Sequence, residues 1–189
     1  GNTGSQVNTI QYVSMRSRGN ALDFGDISLA KSLMNTLGAS NETRGLFAGG
    51  ADSGFVSQNT IDYVTIASAG NSIDFGDLTI GTRSGAGASS STRAVFGGGE
   101  VAGGADTNVI GYVTIASTGN ATDFGDLSVA RQGIAGTSSA TRAVFFGGLG
   151  GASRYNLIEY ITIASTGNTT DFGDLTAQIF QGAATSNSV

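Results

Sequence analysis

Residues 61–77 read I-D-Y-V-T-I-A-S-A-G-N-S-I-D-F-G-D, and close copies occupy residues 10–26, 110–126 and 158–174. Tyr12, Tyr63, Tyr112 and Tyr160 hold the same place in each copy, 51, 49 and 48 residues apart. Each precedes a Phe (Phe24, Phe75, Phe124, Phe172) by 12 residues. A fixed period of this length marks a repeat architecture and takes precedence over any single-domain reading of the chain.

Within the copy, I-D-Y-V-T-I-A alternates, yet both alternating sets are apolar or small. Ile61, Tyr63 and Thr65 share one face; Val64 and Ile66 share the other. A strand of this kind is expected to be covered on both sides. The following S-A-G-N or S-T-G-N places Gly third, which predicts a hairpin turn with a left-handed Gly and a bulge. The D-F-G-D strand returns. Next comes a small-residue stretch (84–91, 132–139), expected to be a strand packed close to its neighbour. The sequence T-R-A-V-F-G-G-G at 92–99 follows, with sisters at 43–50 and 141–148, and predicts an apolar strand ended by a Gly pair. Each unit thus has four short strands. Helical periodicity is absent; the best stretch, 27–37, is short and uncapped.

A four-stranded unit with two apolar faces must stack on its neighbours. Radial stacking gives a β-propeller and linear stacking a solenoid. The expected fold is all-β, a kelch-like propeller or an arc of one, in four-stranded antiparallel blades of about 50 residues. The chain divides as one repeat array, with repeats at 1–50, 51–99, 100–148 and 149–189, the last incomplete. Four Tyr–Phe hairpins accompany three Thr-Arg strands. This mismatch predicts either an internal piece of a longer array or a missing strand lent by another segment or subunit.

Composition excludes several classes. The chain has 31 Gly and no Pro, Cys, His or Trp, so thiolate and imidazole metal sites are ruled out. Only 12% of residues are charged and the net charge is −5, which argues against nucleic-acid binding. No apolar run is long enough to span a bilayer, so no membrane insertion is expected. A surface of Ser, Thr, Asn and Gly fits a virion-borne or extracellular protein.

The order of diglycine, variable loop, Tyr, hairpin, large aromatic and Arg resembles the kelch repeat, most clearly in Gly98-Gly99, Tyr112, Phe124 and Arg131. This chain has Phe where kelch repeats carry Trp, and its Tyr-to-aromatic spacing is longer. The wording Y-V-T-I-A-S-T-G-N-A-T-D-F-G-D-L is also similar to repeats of structural proteins of marine tailed phages, which implies a virion surface or fibre component.

Each candidate site also has a role in the fold. D-F-G-D sets two carboxylates three residues apart in every copy, as in Asp74 and Asp77. Calcium ligation is one reading. A turn residue plus an interstrand partner for Arg44, Arg93 or Arg142 is preferred, since a feature of every repeat belongs to the fold. The match of D-F-G to the kinase motif lacks its companion elements. The G-G-A-D stretches lack the tandem nonapeptides of calcium-binding β-rolls. The four Tyr are assigned to the core. A copper-oxidase propeller needs His, and a sialidase-like site needs an Arg cluster with a Tyr–Glu pair; Glu42, Glu100 and Glu159 are scattered in repeat position. The expectation is therefore no catalytic residues, no metal, no cofactor and no enzyme.

Recognition is expected where the copies differ, in the loops 51–59, 100–108 and 149–156. Phe55, Glu100, Asp106, Arg154 and Tyr155 supply the surface and charge to hold a partner there. The expected function is a structural or adhesive virion protein that binds a host-surface glycan, another virion subunit or its own copies. The alternatives are a cellular kelch-type interaction scaffold and, third, a glycan-cleaving propeller.

Overall fold

The structure, a computed structural model, describes residues 6–34 and 37–186. Among these residues there are strands and turns and no helix. The N-terminal hairpin is β1 (Thr9–Tyr12) and β2 (Leu22–Asp26). Then come β3 (Gly38–Ser40), β4 (Arg44–Ala48), β5 (Thr60–Thr65) and β6 (Ile73–Asp77). The short β7 (Thr82–Arg83) precedes β8 (Ala86–Ser89), β9 (Arg93–Gly97), β10 (Glu100–Val101), β11 (Val109–Thr114) and β12 (Thr122–Asp126). The last group is β13 (Ala135–Ser138), β14 (Arg142–Phe146), β15 (Leu149–Gly150), β16 (Ser153–Thr162) and β17 (Thr170–Ile179).

All pairings are antiparallel. One sheet runs β3-β4-β5-β6 and a second β8-β9-β11-β12; a third holds β13, β14, β16 and β17 with β15 alongside. The pairs β1-β2 and β7-β10 stand as two-stranded sheets. Each large sheet straddles a diglycine, taking two strands before it and two after. The stretch 27–37 is not helical where it is described; residues 35–36 lie outside the described set.

The apolar alternation now has an address. In β9, Ala94 and Phe96 face the sheet before, while Val95 faces the sheet after. One cluster joins Leu46, Ile61 and Phe75 to Phe96, Val113 and Ile115. The next joins Val95, Ile110 and Phe124 to Phe145, Ile161 and Ile163. The core therefore sits between sheets, and the middle sheet is buried on both faces, as its two apolar sets require.

The bulge lies in the return strand, not in the turn. Ile61 faces Gly76 and Asp62 faces Asp74, so Phe75 is the extra residue. The same shift isolates Phe24, Phe124 and Phe172. The predicted left-handed Gly in the turn is corrected. Gly119 and Gly167 have φ of 157° and 155°, near the extended range. The physical reason is that each turn is pulled out to pair with the preceding unit.

That pairing recurs three times. The Gly70 N–H donates to Phe24 O at 2.7 Å, Gly119 to Phe75 O at 2.7 Å and Gly167 to Phe124 O at 2.7 Å. Asn71, Asn120 and Asn168 accept with Oδ1 from the backbone N–H of Asp26, Asp77 and Asp126, at 3.1, 3.1 and 3.0 Å. Asp26 O, Asp77 O and Asp126 O accept from Ser72, Ala121 and Thr169. The middle Gly of D-F-G-D permits the approach: its φ is near +145° in Gly25, Gly76 and Gly125, and a Cβ there would run into the incoming turn.

The expected Arg–Asp partnership is also corrected. Arg44, Arg93 and Arg142 each lie over a Tyr ring of their own sheet (Tyr63, Tyr112, Tyr160), 4.6 Å from its centroid. Each Tyr meets its Phe edge to face, for example Tyr63 and Phe75 at 5.8 Å. Arg44 then reaches the Ile115 carbonyl at 2.7 Å, and Arg93 reaches those of Ile163 and Ala164 at 3.0 Å. The Arg serves as a staple to the next unit. The carbonyls of a bent-out turn need a donor, whereas Asp23, Asp74 and Asp123 are solvent-exposed and need no cation.

Candidate functional site

The three variable loops form one connected edge. Arg83, on β7, makes the first link: its guanidinium donates to the Phe55 carbonyl and pairs with the Glu100 carboxylate. Ser57 Oγ donates to Glu100 O at 2.9 Å. The second loop folds back on itself through the Glu100–Asp106 bridge. Asp106 Oδ2 then accepts from the Gly151 N–H of the third loop at 2.8 Å. Arg83 was not singled out in the sequence; the only hint was a cation where the sister positions carry Ser32 and Gln132.

The five residues named from sequence divide into two roles. Glu100 and Asp106 are half-buried: the Glu100 carboxylate pairs with Arg83 of β7, and Asp106 Oδ2 accepts from the third loop while its buried Oδ1 has no partner. Tyr155 is half-buried beside Gly150. Phe55 and Arg154 are exposed. Phe55 is 63% exposed and has φ of 59°, a left-handed conformation that is costly for an aromatic residue. Gly104, at the same distance after its diglycine, has φ of 86° and carries no such cost. The Phe55 loop is held by Asp52, whose Oδ1 accepts from the Gly54 and Val56 N–H groups at 2.9 and 3.0 Å. An outward ring at a strained position is a feature that packing does not explain.

Beneath this edge lie two buried ion pairs. Lys31 Nζ stands 3.2 Å from Asp62 Oδ2 and also donates to Thr60 Oγ1. Arg131 Nη2 stands 2.8 Å from Glu159 Oε1. The nitrogens of the Arg131 guanidinium are otherwise without hydrogen-bond partners. Burial pushes its pKa down, against the charge of Glu159. Burial alone would push the Glu159 carboxyl up. Hydrogen bonds from the Ser128 N–H, the Thr169 hydroxyl and the Ser128 hydroxyl, with the Arg131 charge, outweigh it and hold the group below the usual carboxylate range. In the intervening unit the same two places hold Thr82 and Gly111. The charge and its partner are present together or absent together.

The small-residue strands line an open pocket of about 520 Å³. Its wall carries a serine ladder. Ser89 Oγ donates to Ser40 O at 2.7 Å and accepts from the Ser40 N–H at 3.2 Å. Ser138 Oγ does the same to Ser89 at 2.8 and 3.1 Å, and Ser186 Oγ donates to Ser138 O. These hydroxyls are committed to the backbone. No described His, Cys, Asp or Glu residues cluster to hold a metal ion, and no described helix is long and apolar enough to cross a membrane.

No family model matches the sequence, and no curated protein matches it. Solved structures do match in backbone. Among them, the structure of YjhT superposes with a TM-score of 0.69 over 88% of this chain, at 10% identity. The chain spans 62% of that structure's length. This match corrects the expectation that the chain is not an enzyme. That expectation rested on missing catalytic groups, and activity is set by side chains placed on a fold, so a part of one excludes nothing. At this identity the likeness concerns fold alone: the chain is an all-β protein of antiparallel sheets that shares its fold with YjhT.

Proposed function

We propose that the chain is an arc of a kelch-like β-propeller that acts as a binding scaffold, with its ligand held on the loop edge. The observation that carries this reading is Phe55: an exposed ring kept in a left-handed conformation where the sister loop uses Gly104. Arg154, exposed on the third loop, supplies a cation to the same edge. The ligand class is a surface glycan. An aromatic plate packs on the C–H face of a sugar ring, and a guanidinium takes hydroxyl or carboxylate oxygens. The setting is a virion surface or the extracellular space, in keeping with the polar, charge-poor exterior and the phage-like repeat wording.

Calorimetric titration with polysaccharides from bacterial envelopes tests it. Phe55→Ala and Arg154→Ala should each weaken binding about tenfold, the loss of one good contact. Unchanged affinity in both variants would remove the loop edge as the site. Shortened polysaccharide products would redirect the reading to catalysis.

A further inference from the structure

The first two loops align residue for residue after their diglycines, so each is a control for the other. Phe55 and Gly104 fall at the same place, and both are left-handed, with φ of 59° and 86°. The next unit answers the two loops differently. Arg83 donates from Nη1 to the Phe55 carbonyl and from Nη2 to the Glu100 carboxylate. Gln132 stands where Arg83 would for the second loop. Among the described residues its side chain makes no hydrogen bond to Gly104. Where the left-handed residue is Gly, which adopts that conformation freely, the clamp is absent; where it is Phe, the clamp is present.

The clamp acts where the loop's own bonds do not. Asp52 takes the N–H groups of Gly54, Phe55 and Val56, through Oδ1 for the outer two and its carbonyl for Phe55. The Phe55 carbonyl has Arg83 as its one donor among the described residues. Arg suits the task because its fork offers separate nitrogens to the carbonyl and the carboxylate. Glu100 is itself fixed, since β10 pairs it with Arg83 of β7.

We propose that Arg83 is the positioning residue of the loop edge: by holding the Phe55 backbone left-handed it keeps the Phe55 ring turned out. The inference rests on the reading of Phe55 as the ligand contact. Arg83 itself touches no ligand, because its guanidinium is spent on Phe55 and Glu100; Arg154 is the exposed cation that does. A charge-assisted bond is of the same order as left-handed strain at a non-Gly residue, so losing it frees the loop to relax. A ring fixed before binding costs less to capture than one that must be ordered, so the clamp is expressed as affinity.

Two measurements on the 189-residue chain test it. The first needs no ligand: proton NMR of the Phe55 amide, whose cross-peak to its own Hα is strong at positive φ. The second is calorimetric titration with O-antigen polysaccharide released from lipopolysaccharide. The variants are Arg83→Ala and Arg83→Lys; the latter keeps the charge and loses the fork. The Tyr63–Phe75 ring contact, in the core, reports an intact fold. If Arg83→Ala disturbs that contact, Arg83→Lys decides alone. The expected result is a strong cross-peak in wild type that weakens in both variants, with affinity about tenfold lower in both. A weak cross-peak in wild type, or a strong one kept in either variant, overturns the proposal whatever the polysaccharide does. So does a weakened cross-peak at unchanged affinity. Wild-type affinity in Arg83→Lys beside a loss in Arg83→Ala would make Arg83 a charge contact and also overturn it. A wild type that binds no polysaccharide, with the cross-peak lost in both variants, overturns the glycan reading and supports the clamp.

Discussion

The guanidinium carbon of Arg93 lies 4.6 Å from the ring centroid of Tyr112, and from there its Nη1 reaches the carbonyls of Ile163 and Ala164 in the next unit. Among the described residues, Arg142 repeats the first contact without the second. Arg93→Ala should therefore cost about 2 to 3 kcal/mol, from a cation–π contact and charge-assisted hydrogen bonds. Arg142→Ala should cost about 1 kcal/mol or less. Urea unfolding of the two variants side by side measures the difference; equal losses would mean that the staple adds nothing.

Arg131 and Glu159 should behave as a unit. Arg131→Thr leaves a buried carboxylate without its cation and should cost about 3 to 5 kcal/mol. The double variant Arg131→Thr/Glu159→Gly copies the Thr82 and Gly111 arrangement already present in the chain. It should be more stable than Arg131→Thr alone, in a double-mutant cycle read by thermal unfolding.

Acid should act through the same carboxyl. The folded-state pKa of Glu159 is held below its unfolded value, which is about 4.3 for a free Glu. Its contribution is then fully present above that value and is lost as pH falls through the folded one. The wild-type melting temperature should drop more steeply than that of the Arg131→Thr/Glu159→Gly variant below about pH 5. Parallel pH profiles would assign the acid sensitivity elsewhere.

Phe55 should show opposite effects on folding and binding. Phe55→Gly removes the left-handed strain and should stabilise the chain by about 1 kcal/mol, while binding at the loop edge falls. A destabilised Phe55→Gly protein would mean that the ring packs in the fold.

The strands were legible because Tyr, Phe and the diglycine recur at one period, and local composition decides where an extended segment starts and stops. The partners were not. Arg44 bonds a carbonyl 71 residues later, and no local rule connects Arg44 to Ile115. The turn Gly was misassigned for the same reason, since its backbone is set by the unit before it. The buried pairs went unread, although the sequence carries a trace of them. Lys31 with Asp62, Thr82 with Gly111 and Arg131 with Glu159 change together at fixed repeat positions, as touching residues do. At the loop edge, Phe55 and Arg154 were named from size and charge, and both are exposed in the structure. The fastening roles of Glu100 and Asp106 needed Arg83 and Gly151, which nothing in the loop sequences marks.

The serine ladder has a direction. In each rung the later Ser supplies the hydroxyl and the earlier one supplies the backbone, as Ser89 does for Ser40 and Ser138 for Ser89. A nascent chain leaving the ribosome would thus hold each unit open until the next has emerged. One repeat period of synthesis takes roughly 3 to 10 s at about 5 to 20 residues per second. Throughout that interval the newest sheet has its apolar face uncovered, so the translation rate sets how long each sheet waits for its lid.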